Sequence, residues 1–464
     1  MLKNIFSERR IIFVLIAIIT IIVRIYLSFS TDLIAGMDGG YYPLQVRNVL
    51  NTGFLGFSDV PLYFYFCALL VKVITIFGFA QSNETIINVI KIVDSIALPL
   101  LVIPLFNILS KKENKIPFYA EIAIVLFAVF SFPSFRMLGD LQKNGFAIPF
   151  LLAFIYFAER YFAENQRRDM VYAIITLLII SLIHFGVFVF SLAFLIVLLV
   201  IVYRKKAVIP SLLLFLVGFL LVLLFDYDRA MRLITFWNVI FDNSAEFSEP
   251  VPPPVLLNML LSYALVIFAM FQYKKHNHTV DKTTLNMIIV LVVLIVVFAF
   301  PLYESQYILR FNALLFIPQA LLILQLIRIN KKLTIPFSGF LFLATAFSLV
   351  TNFHEGKKSV IGRLAYEDLQ NLNKFITGNR DSTIIITRHG IEFWTAWALE
   401  VKVGNDRGMD KLNLDNYKNV IFLQPKQEAG KKPIGMHPQH EPPIPKNSQL
   451  VYSSAYFNAY QLKN

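Results

Sequence analysis

Cysteine and charge are both scarce in this chain. Cys67 is the only cysteine among 464 residues, which excludes an intrachain disulfide and a cysteine-based metal cluster. Charged residues make up 16% of the sequence, compared with roughly 25% in an average soluble protein. This shortfall excludes a large soluble enzyme with a membrane tail. Hydrophobic residues reach 57% and recur in runs of about 18 residues or more, which indicates a polytopic membrane protein.

The net charge of +12 has to be interpreted by position. In polytopic membrane proteins an excess of Lys and Arg mostly sets orientation, so nucleic acid is not an expected partner. Lys3, Arg9 and Arg10 precede the apolar run 11–30. That run is long for a signal peptide, and no cleavage site of the A-x-A type follows it. We expect an uncleaved first span with its N-terminus in the cytoplasm.

Five further basic clusters divide the rest of the apolar sequence. If every cluster is cytoplasmic, each interval between clusters contains an even number of crossings. Four intervals satisfy this rule with one helical hairpin each, but the first contains the runs 11–30, 61–79 and 88–108. We predict that 61–79 does not cross, because its central Lys72 costs about 2.5–3.5 kcal/mol on insertion scales. A true span with one misplaced cluster is the alternative. The clusters are Lys111, Lys112 and Lys115; Arg160, Arg167 and Arg168; Arg204, Lys205 and Lys206; Lys274, Lys275 and Lys282; and Arg328, Lys331 and Lys332.

These crossings predict an all-α membrane domain over residues 1–351. It contains about eleven transmembrane helices, and juxtamembrane helices within the loop 31–87 lie at the outer face. The protein is therefore expected in the cell membrane as a multi-pass protein with its C-terminal part outside the cell.

Residues 352–464 contain no further spanning run. Helical patterns alternate there with strand-like segments at 383–387 and 420–423, and the end of the chain predicts one or two strands around a turn at Phe457 and Asn458. We predict a small extracytoplasmic α/β domain.

Ionisable and polar residues gather in the segments assigned to the outer face. Burying such groups within the membrane is costly, so their presence there suggests that they have a function. They suggest a site at the outer boundary between water and lipid. They are Asp32, Asp38, Tyr41, Tyr42 and Arg47; Arg136, Asp140, Gln142 and Lys143; His184; Asp226, Asp228, Arg229 and Arg232; and Glu304, Gln306, Tyr307 and Arg310.

The first outer loop is the most informative of these segments. Gly36, Gly39 and Gly40 free the backbone around Asp38 and allow close approach of a substrate. Residues 42–50 predict a short helix, so that Asp38 lies just ahead of its N-terminus. The alternative is that Asp38 merely caps this helix.

A series of short motifs follows in order along the chain. The motifs are Arg24 and Tyr26 at the end of the first span, Asp38, the segment 61–65, Asp140 in Gly-Asp-Leu-Gln-Lys-Asn, the stretch 182–184 and the stretch 307–310. Together they resemble the GT-C superfamily of integral-membrane glycosyltransferases, which includes protein O-mannosyltransferases, aminoarabinose transferases and oligosaccharyltransferases. The Asp-Glu pair of the first and the Trp-Trp-Asp-Tyr-Gly signature of the last are absent.

The resemblance implies transfer of a sugar from a polyprenyl-phosphate donor at the extracytoplasmic face. The acceptor is a protein, a lipid or a glycan, and membrane lipid is a further partner. Asp38 is the candidate base or acceptor-orienting carboxylate, and Asp140 is a second catalytic carboxylate. No cofactor is demanded, and a divalent cation on these carboxylates is left open. Arg310, Lys143 and Arg136 are the candidates for binding the donor phosphate, and Tyr41, Tyr42, His184, Glu304 and Tyr307 are the candidates for substrate contact.

Each of these assignments has a structural alternative. Arg310 is also suited to anchor its helix at the interface, and Asp140 and Lys143 are spaced to pair on a helix. His184 is also suited to a packing role between two spans, and Glu304 to an ion pair with Arg310. At the level of function, the alternatives are a transporter or flippase for a lipid-linked saccharide and a catalytically silent assembly subunit.

Overall fold

A computed structural model describes the chain over residues 8–110, 115–225, 251–276, 280–376, 380–405, 412–426 and 444–463, together with 227, 231, 240, 241 and 278. Contacts divide these residues into two compact units. The helical unit contains residues 8–24, 58–63 and 94–355. The sheet unit contains residues 25–57, 64–93 and 356–463.

Among the described residues, eight segments are long and apolar enough to cross a membrane. Each has at least 19 residues and therefore extends about 28 Å or more as a helix, close to the 30 Å of a bilayer's hydrocarbon core. The prediction of a polytopic, mainly helical membrane protein is thus confirmed. The segments are Glu8–Phe29, Asn83–Leu109, Phe118–Arg136, Gln142–Glu164, Phe185–Tyr203, Pro253–His276, Ser305–Ile329 and Lys331–Glu355.

Three shorter apolar helices and α9, which starts with charged residues, complete the set within the described residues. α9 (Arg167–Ile183), α11 (Val208–Phe225) and α13 (Lys282–Phe298) occupy places where the basic clusters predict crossings. With the eight longer segments they match the predicted number of about eleven. The fourth, α3 (Leu62–Ile76), has 15 residues and reaches only about 22 Å as a helix. This length supports a helix that does not cross, which stays a prediction, as does the orientation of the termini.

The remaining helices follow the chain in order. Two of the spans, Asn83–Leu109 and Phe118–Arg136, consist of two consecutive α-helices. Pro99 and Pro133 lie at these breaks, where a missing N–H leaves no backbone donor unpaired. The helices are α1 (Glu8–Phe29), α2 (Tyr41–Thr52), α4 (Asn83–Ala97), α5 (Val102–Leu109), α6 (Phe118–Phe130), α7 (Phe132–Arg136), α8 (Gln142–Glu164), α10 (Phe185–Tyr203), α12 (Pro253–His276), α14 (Ser305–Ile329), α15 (Thr334–Glu355), α16 (Arg363–Leu372) and α17 (Glu392–Leu399).

The sheet unit contains a five-stranded mixed sheet in the order β2-β1-β3-β5-β4. β1 is parallel to both β2 and β3, and β5 is antiparallel to β3 and β4. Ile384, Ile386, Val420 and Phe422 form its buried core on alternate positions of two strands. The strands are β1 (Thr383–Thr387), β2 (Lys402–Asn405), β3 (Asn419–Pro425), β4 (Ser448–Ser453) and β5 (Phe457–Leu462).

The sheet confirms the predicted α/β fold and corrects one detail. The turn expected at Phe457 and Asn458 is wrong, because both residues pair within β5 and the connection lies before them. Ser454 makes this connection, since its hydroxyl accepts hydrogen bonds from the backbone N–H groups of Tyr456 and Phe457. The division of the chain at residue 351 stays a prediction. The contacts group most of the loop 31–87 with the C-terminal residues.

Arg24 is a fully buried charge in the helical unit. Its guanidinium donates hydrogen bonds to the backbone carbonyls of Ser134 at 2.9 Å and Asp94 at 3.2 Å, and lies 3.7 Å from the Asp94 carboxylate. The same carboxylate accepts a 2.7 Å hydrogen bond from the backbone N–H of Gly139. A buried charge persists only when it is paired and hydrogen-bonded. Arg24 and Asp94 therefore join α1, α4 and the segment after α7.

We predict that Asp94→Leu destabilises the helical unit strongly, because it leaves the Arg24 guanidinium buried and unpaired. Breaking one partner of a buried pair costs about 3–5 kcal/mol. Thermal unfolding in detergent would measure the loss. Glu164→Leu is the control in the same unit, since Glu164 is 47% exposed and its partner Arg160 keeps a second carboxylate, that of Asp169. Equal midpoints for the two variants would show that the Arg24–Asp94 pair does not hold these helices.

Candidate functional site

Asp140 lies in the short connection between α7 and α8. The preceding Gly139 has a φ of +93°, a left-handed conformation that favours glycine. Its N–H is held by Asp94, as described above. Asp140 itself is partly exposed. The backbone next to this carboxylate is therefore fixed from the interior of the helical unit, while the side chain stays accessible.

Lys143, which lies three residues after Asp140, forms a buried ion pair with Asp59. The two side chains are 9% and 3% exposed, and the ammonium lies in hydrogen-bond contact with a carboxylate oxygen of Asp59. Beside them, the hydroxyl of Tyr63 donates a 2.8 Å hydrogen bond to Gln142. These two contacts tie the segment 58–63 to the start of α8.

This pairing bears on two sequence interpretations. Because a buried carboxylate already neutralises Lys143, its ammonium is poorly placed to serve as a donor-phosphate ligand. Asp59 is a charged residue of the site region that the sequence analysis missed. The only signal was its position just before the Pro-aromatic segment 61–65.

We predict that Asp59→Leu and Lys143→Met are each strongly destabilising and that the double variant recovers much of the loss. Each single change leaves an uncompensated buried charge, which costs about 3–5 kcal/mol, whereas removing both charges is often neutral. A double-mutant cycle on thermal unfolding would measure the coupling. Additive losses would contradict the pairing and restore Lys143 as a candidate for binding the donor phosphate.

Glu304 caps α14. Its carboxylate accepts hydrogen bonds from the backbone N–H of Gln306 at 3.0 Å and from the hydroxyl of Ser305 at 3.1 Å. Capping by a carboxylate satisfies helix N–H groups and matches the positive end of the helix dipole. The alternative of an ion pair with Arg310 is wrong, since no such pair forms between these two described residues. Tyr307, in the first turn of α14, is partly exposed, and its ring lies 6.1 Å from that of Phe311.

His184 also caps a helix. It separates α9 from α10, and its Nδ1 accepts a 3.2 Å hydrogen bond from the backbone N–H of Val187. The residue is partly buried. This geometry realises the structural role that the sequence analysis left open for His184, and substrate contact stays a prediction.

We predict that His184→Ala lowers stability by about 1 kcal/mol, the usual loss for a helix N-cap, and that His184→Asn keeps most of it. Asn supplies a side-chain oxygen that accepts the same N–H. Denaturant unfolding of the two variants would test the cap. If His184→Asn lost turnover while keeping its stability, the imidazole would have a further role in substrate contact.

A large apolar cavity lies in the helical unit among α6, α7, α12, α14 and α15. Its volume is about 740 Å³. Along α15 the lining extends from Pro336 to Glu355, which corresponds to roughly 29 Å of helix. Asn312 and Gln319 contribute polar groups to an otherwise mainly apolar wall. The cavity is long enough to accommodate an extended hydrocarbon chain.

Arg310 lies on the face of α14 that is opposite to this cavity. The α14 residues that line it, Asn312, Phe316, Gln319 and Ile323, share one face of the helix. Arg310 precedes Asn312 by two residues, about 200° around the helix, and is exposed. Arg136, by contrast, ends α7, the helix whose residues Phe132 and Pro133 line the cavity.

The turn at residues 36–40, called the Asp38 turn, belongs to the sheet unit. Gly36 has a φ of +88°, and the carbonyl of Asp38 accepts a 2.9 Å hydrogen bond from the N–H of Tyr41. The N-cap of α2 is Gly40, which has no side chain to accept a capping bond. The N-cap position predicted as the alternative for Asp38 is thus occupied by Gly40. Asp38 is partly exposed.

The two predicted tyrosine contacts differ in their surroundings. Tyr42 is 3% exposed and belongs to the core of the sheet unit. Tyr41 is partly exposed, and its ring contacts those of Phe57, Phe64 and Phe393 at 6.3, 5.6 and 5.1 Å between centroids. Of the ten predicted site residues, Asp38, Tyr41 and Tyr42 lie in the sheet unit. The helical unit contains the other seven: Arg136, Asp140, Lys143, His184, Glu304, Tyr307 and Arg310.

Asp38 and Asp140 are the two carboxylates that would be the ligands of a divalent cation according to the sequence. Within the described ranges, no group of three or more His, Cys, Asp or Glu side chains is arranged to hold a metal ion. The predicted outer-face residues Asp226, Asp228, Arg229 and Arg232 lie outside the described residues.

Comparison with solved structures identifies a shared fold. The archaeal oligosaccharyltransferase AglB from Archaeoglobus fulgidus, in complex with an inhibitory peptide and a dolichol-phosphate, superposes with a TM-score of 0.60 at 12% identity over 88% of this chain and 69% of that chain. The apo form of the Archaeoglobus fulgidus oligosaccharyltransferase gives a TM-score of 0.55 over the same shares, also at 12% identity.

ArnT from Cupriavidus metallidurans, bound to undecaprenyl phosphate, gives a TM-score of 0.53 at 11% identity over 97% of both chains. No family model and no curated protein sequence matches this chain. These matches show that the chain shares its fold with AglB and ArnT, as the resemblance inferred from short motifs predicts.

Proposed function

We propose that this protein is a membrane glycosyltransferase that transfers a sugar from a polyprenyl-phosphate-linked donor to an acceptor at the extracytoplasmic face. The observation that carries the proposal is the long apolar cavity of the helical unit. It occurs in a fold shared with two proteins solved with dolichol-phosphate and undecaprenyl phosphate.

The length of the cavity favours a polyprenyl chain over an ordinary phospholipid. One leaflet provides about 15 Å of hydrocarbon, half of the bilayer core. The lining along α15 covers roughly twice that distance. A chain of many isoprene units fills such a space, whereas a phospholipid acyl chain leaves the inner part empty.

Among the three cations predicted to bind the donor phosphate, Arg136 has the best placement for a lipid in this cavity. It ends α7, a helix that contributes to the lining. Lys143 is neutralised by Asp59, and Arg310 lies on the opposite face of α14 from the lining residues. A guanidinium also matches phosphate geometry by donating two parallel hydrogen bonds. We therefore place Arg136 first and retain Arg310 as the second candidate.

The proposed reaction uses Asp38 as the base or the orienting carboxylate. The acceptor hydroxyl or amine attacks the anomeric carbon as its proton passes to the carboxylate. The bond between that carbon and the phosphate oxygen breaks, and polyprenyl phosphate leaves with its charge stabilised by arginine. Attack from the side opposite the leaving group inverts the configuration of the sugar. Asp140 is proposed as the second carboxylate that aligns the acceptor.

We predict that Asp38→Asn abolishes sugar transfer but leaves undecaprenyl phosphate binding unchanged, because the amide cannot accept the proton and the lipid cavity is untouched. Incorporation of labelled sugar into membrane acceptors would measure turnover, and a thermal-shift titration would measure lipid binding. Unchanged transfer in this variant would refute the role of Asp38. Movement of labelled lipid across vesicles with no new glycosidic bond would favour the transporter alternative.

We predict that Ala344→Phe weakens undecaprenyl phosphate binding by at least about tenfold, equivalent to 1.4 kcal/mol. Ala344 lines the cavity, so a larger side chain occupies the space of the lipid chain. Leu343→Phe is the matched control on the same helix, since Leu343 is 73% exposed and lies outside the lining. Equal affinities for the two variants would show that the chain binds elsewhere.

A further inference from the structure

The Asp38 turn packs tightly against α17. This helix belongs to the C-terminal segment of the sheet unit, residues 356–463. A methyl group added to Gly40 would lie 2.7 Å from the backbone nitrogen and 2.9 Å from the Cγ of Trp394. Trp394 is fully buried, so it has little freedom to move away. Gly40 has ordinary right-handed helical dihedrals, with φ −77° and ψ −21°. Glycine is therefore required here for close approach rather than for backbone conformation.

A second contact holds the other end of the turn. The N–H of Gly36 donates a 3.0 Å hydrogen bond to the carbonyl of Lys358, and Gly36 forms a parallel β-bridge with Ser359. Asp38 lies between this bridge and the contact of Gly40 with Trp394. Both flanks of the candidate catalytic carboxylate are thus attached to residues from the end of the chain.

Arg47 fastens the helix that follows the turn. Its guanidinium donates hydrogen bonds to the carbonyls of Trp397 at 2.8 Å and Ala396 at 3.1 Å, at the end of α17. It also stacks on the Trp397 ring, 4.3 Å from the centroid, and lies 3.4 Å from the Glu400 carboxylate. Burial lowers the pKa of the Arg47 guanidinium, and the Glu400 charge opposes that shift. A cation at a helix C-terminus satisfies carbonyls that lack partners within the helix.

We propose that α17 and the strand-like segment 358–359 are positioning elements of the catalytic machinery, which set the place of the Asp38 carboxylate during sugar transfer. This inference rests on the proposed function. Trp394, Trp397 and Arg47 act through the Asp38 turn and are positioning residues. The C-terminal segment then has a role in the rate of the chemical step, in addition to any contact with the acceptor.

The reason is that catalysis is far more sensitive to position than folding is. A displacement of about 1 Å at a reacting group can cost about 10²-fold in rate. The contact of Gly40 with Trp394 leaves no room for an added carbon atom. A methyl group at position 40 therefore has to displace the Asp38 turn from α17. The lipid cavity lies in the other unit and is not altered by such a change.

The test is a kinetic comparison of Gly40→Ala with Gly362→Ala in the full-length protein. Gly362 lies in the same unit, has a φ of −76°, and has no heavy atom within 4 Å of an added methyl group. We expect Gly40→Ala to lower kcat by about 10²-fold, with unchanged KM for the donor and an unchanged thermal shift with undecaprenyl phosphate. Gly362→Ala should behave as the wild type.

Arg47 provides an independent variant if Gly40→Ala fails to fold. Arg47→Lys keeps the charge near Glu400 but loses the paired donation to Ala396 and Trp397, so its kcat should also fall. Arg47→Ala should be partly restored by added guanidinium ion, which fits the space left on the Trp397 ring. Wild-type kcat in folded Gly40→Ala or Arg47→Lys would overturn the positioning role. Absence of sugar transfer by the wild-type protein itself would instead overturn the proposed function.

Discussion

The cost of burying charge among apolar helices determines the local structure around the candidate site. Arg24, Asp94, Lys143 and Asp59 are nearly or fully buried, and each charge has a partner of opposite sign. Unpaired, each would cost several kcal/mol or lose its charge. Both pairs end at the same connection, because Asp94 holds Gly139 and Lys143 lies on the first turn of α8. The backbone around Asp140 is fixed as a consequence of satisfying these charges.

The cavity and the cations of the helical unit have a geometric relation that constrains the proposed chemistry. A lipid chain in the cavity contacts the face of α14 that carries Asn312 and Gln319. Arg310 is displaced from that face by about half a turn of the helix. Arg310 is therefore close in sequence to the lining residues but lies on the other face of α14. Arg136 becomes the more suitable partner for the phosphate of such a lipid for the same geometric reason.

In the sheet unit, the loop around Asp38 and the C-terminal segment form one structure. The Asp38 turn has few side chains of its own to bury, since it is rich in glycine. Trp394 and Phe393 supply the apolar surface that the turn lacks, and Trp397 lies under Arg47 of the following helix. Gly40 allows the backbone to approach that surface closely, whereas Gly36 adopts the positive φ that the turn requires. The same small residues that suggested room for a substrate provide room for a neighbouring helix.

The sequence by itself determined the features that depend on local composition. Apolar runs of sufficient length predict helices in a membrane, whatever their partners, because the bilayer leaves no other way to satisfy the backbone. The β-branched run at 383–387 and the apolar run at 420–423 likewise predicted two strands. The tertiary structure alone decided which charges pair, which side of α14 meets the cavity, and which surface supports the Asp38 turn. Asp59 with Lys143 and Gly40 with Trp394 are separated by 84 and 354 positions. No periodicity or spacing encodes such contacts, since they arise only when the chain folds back on itself.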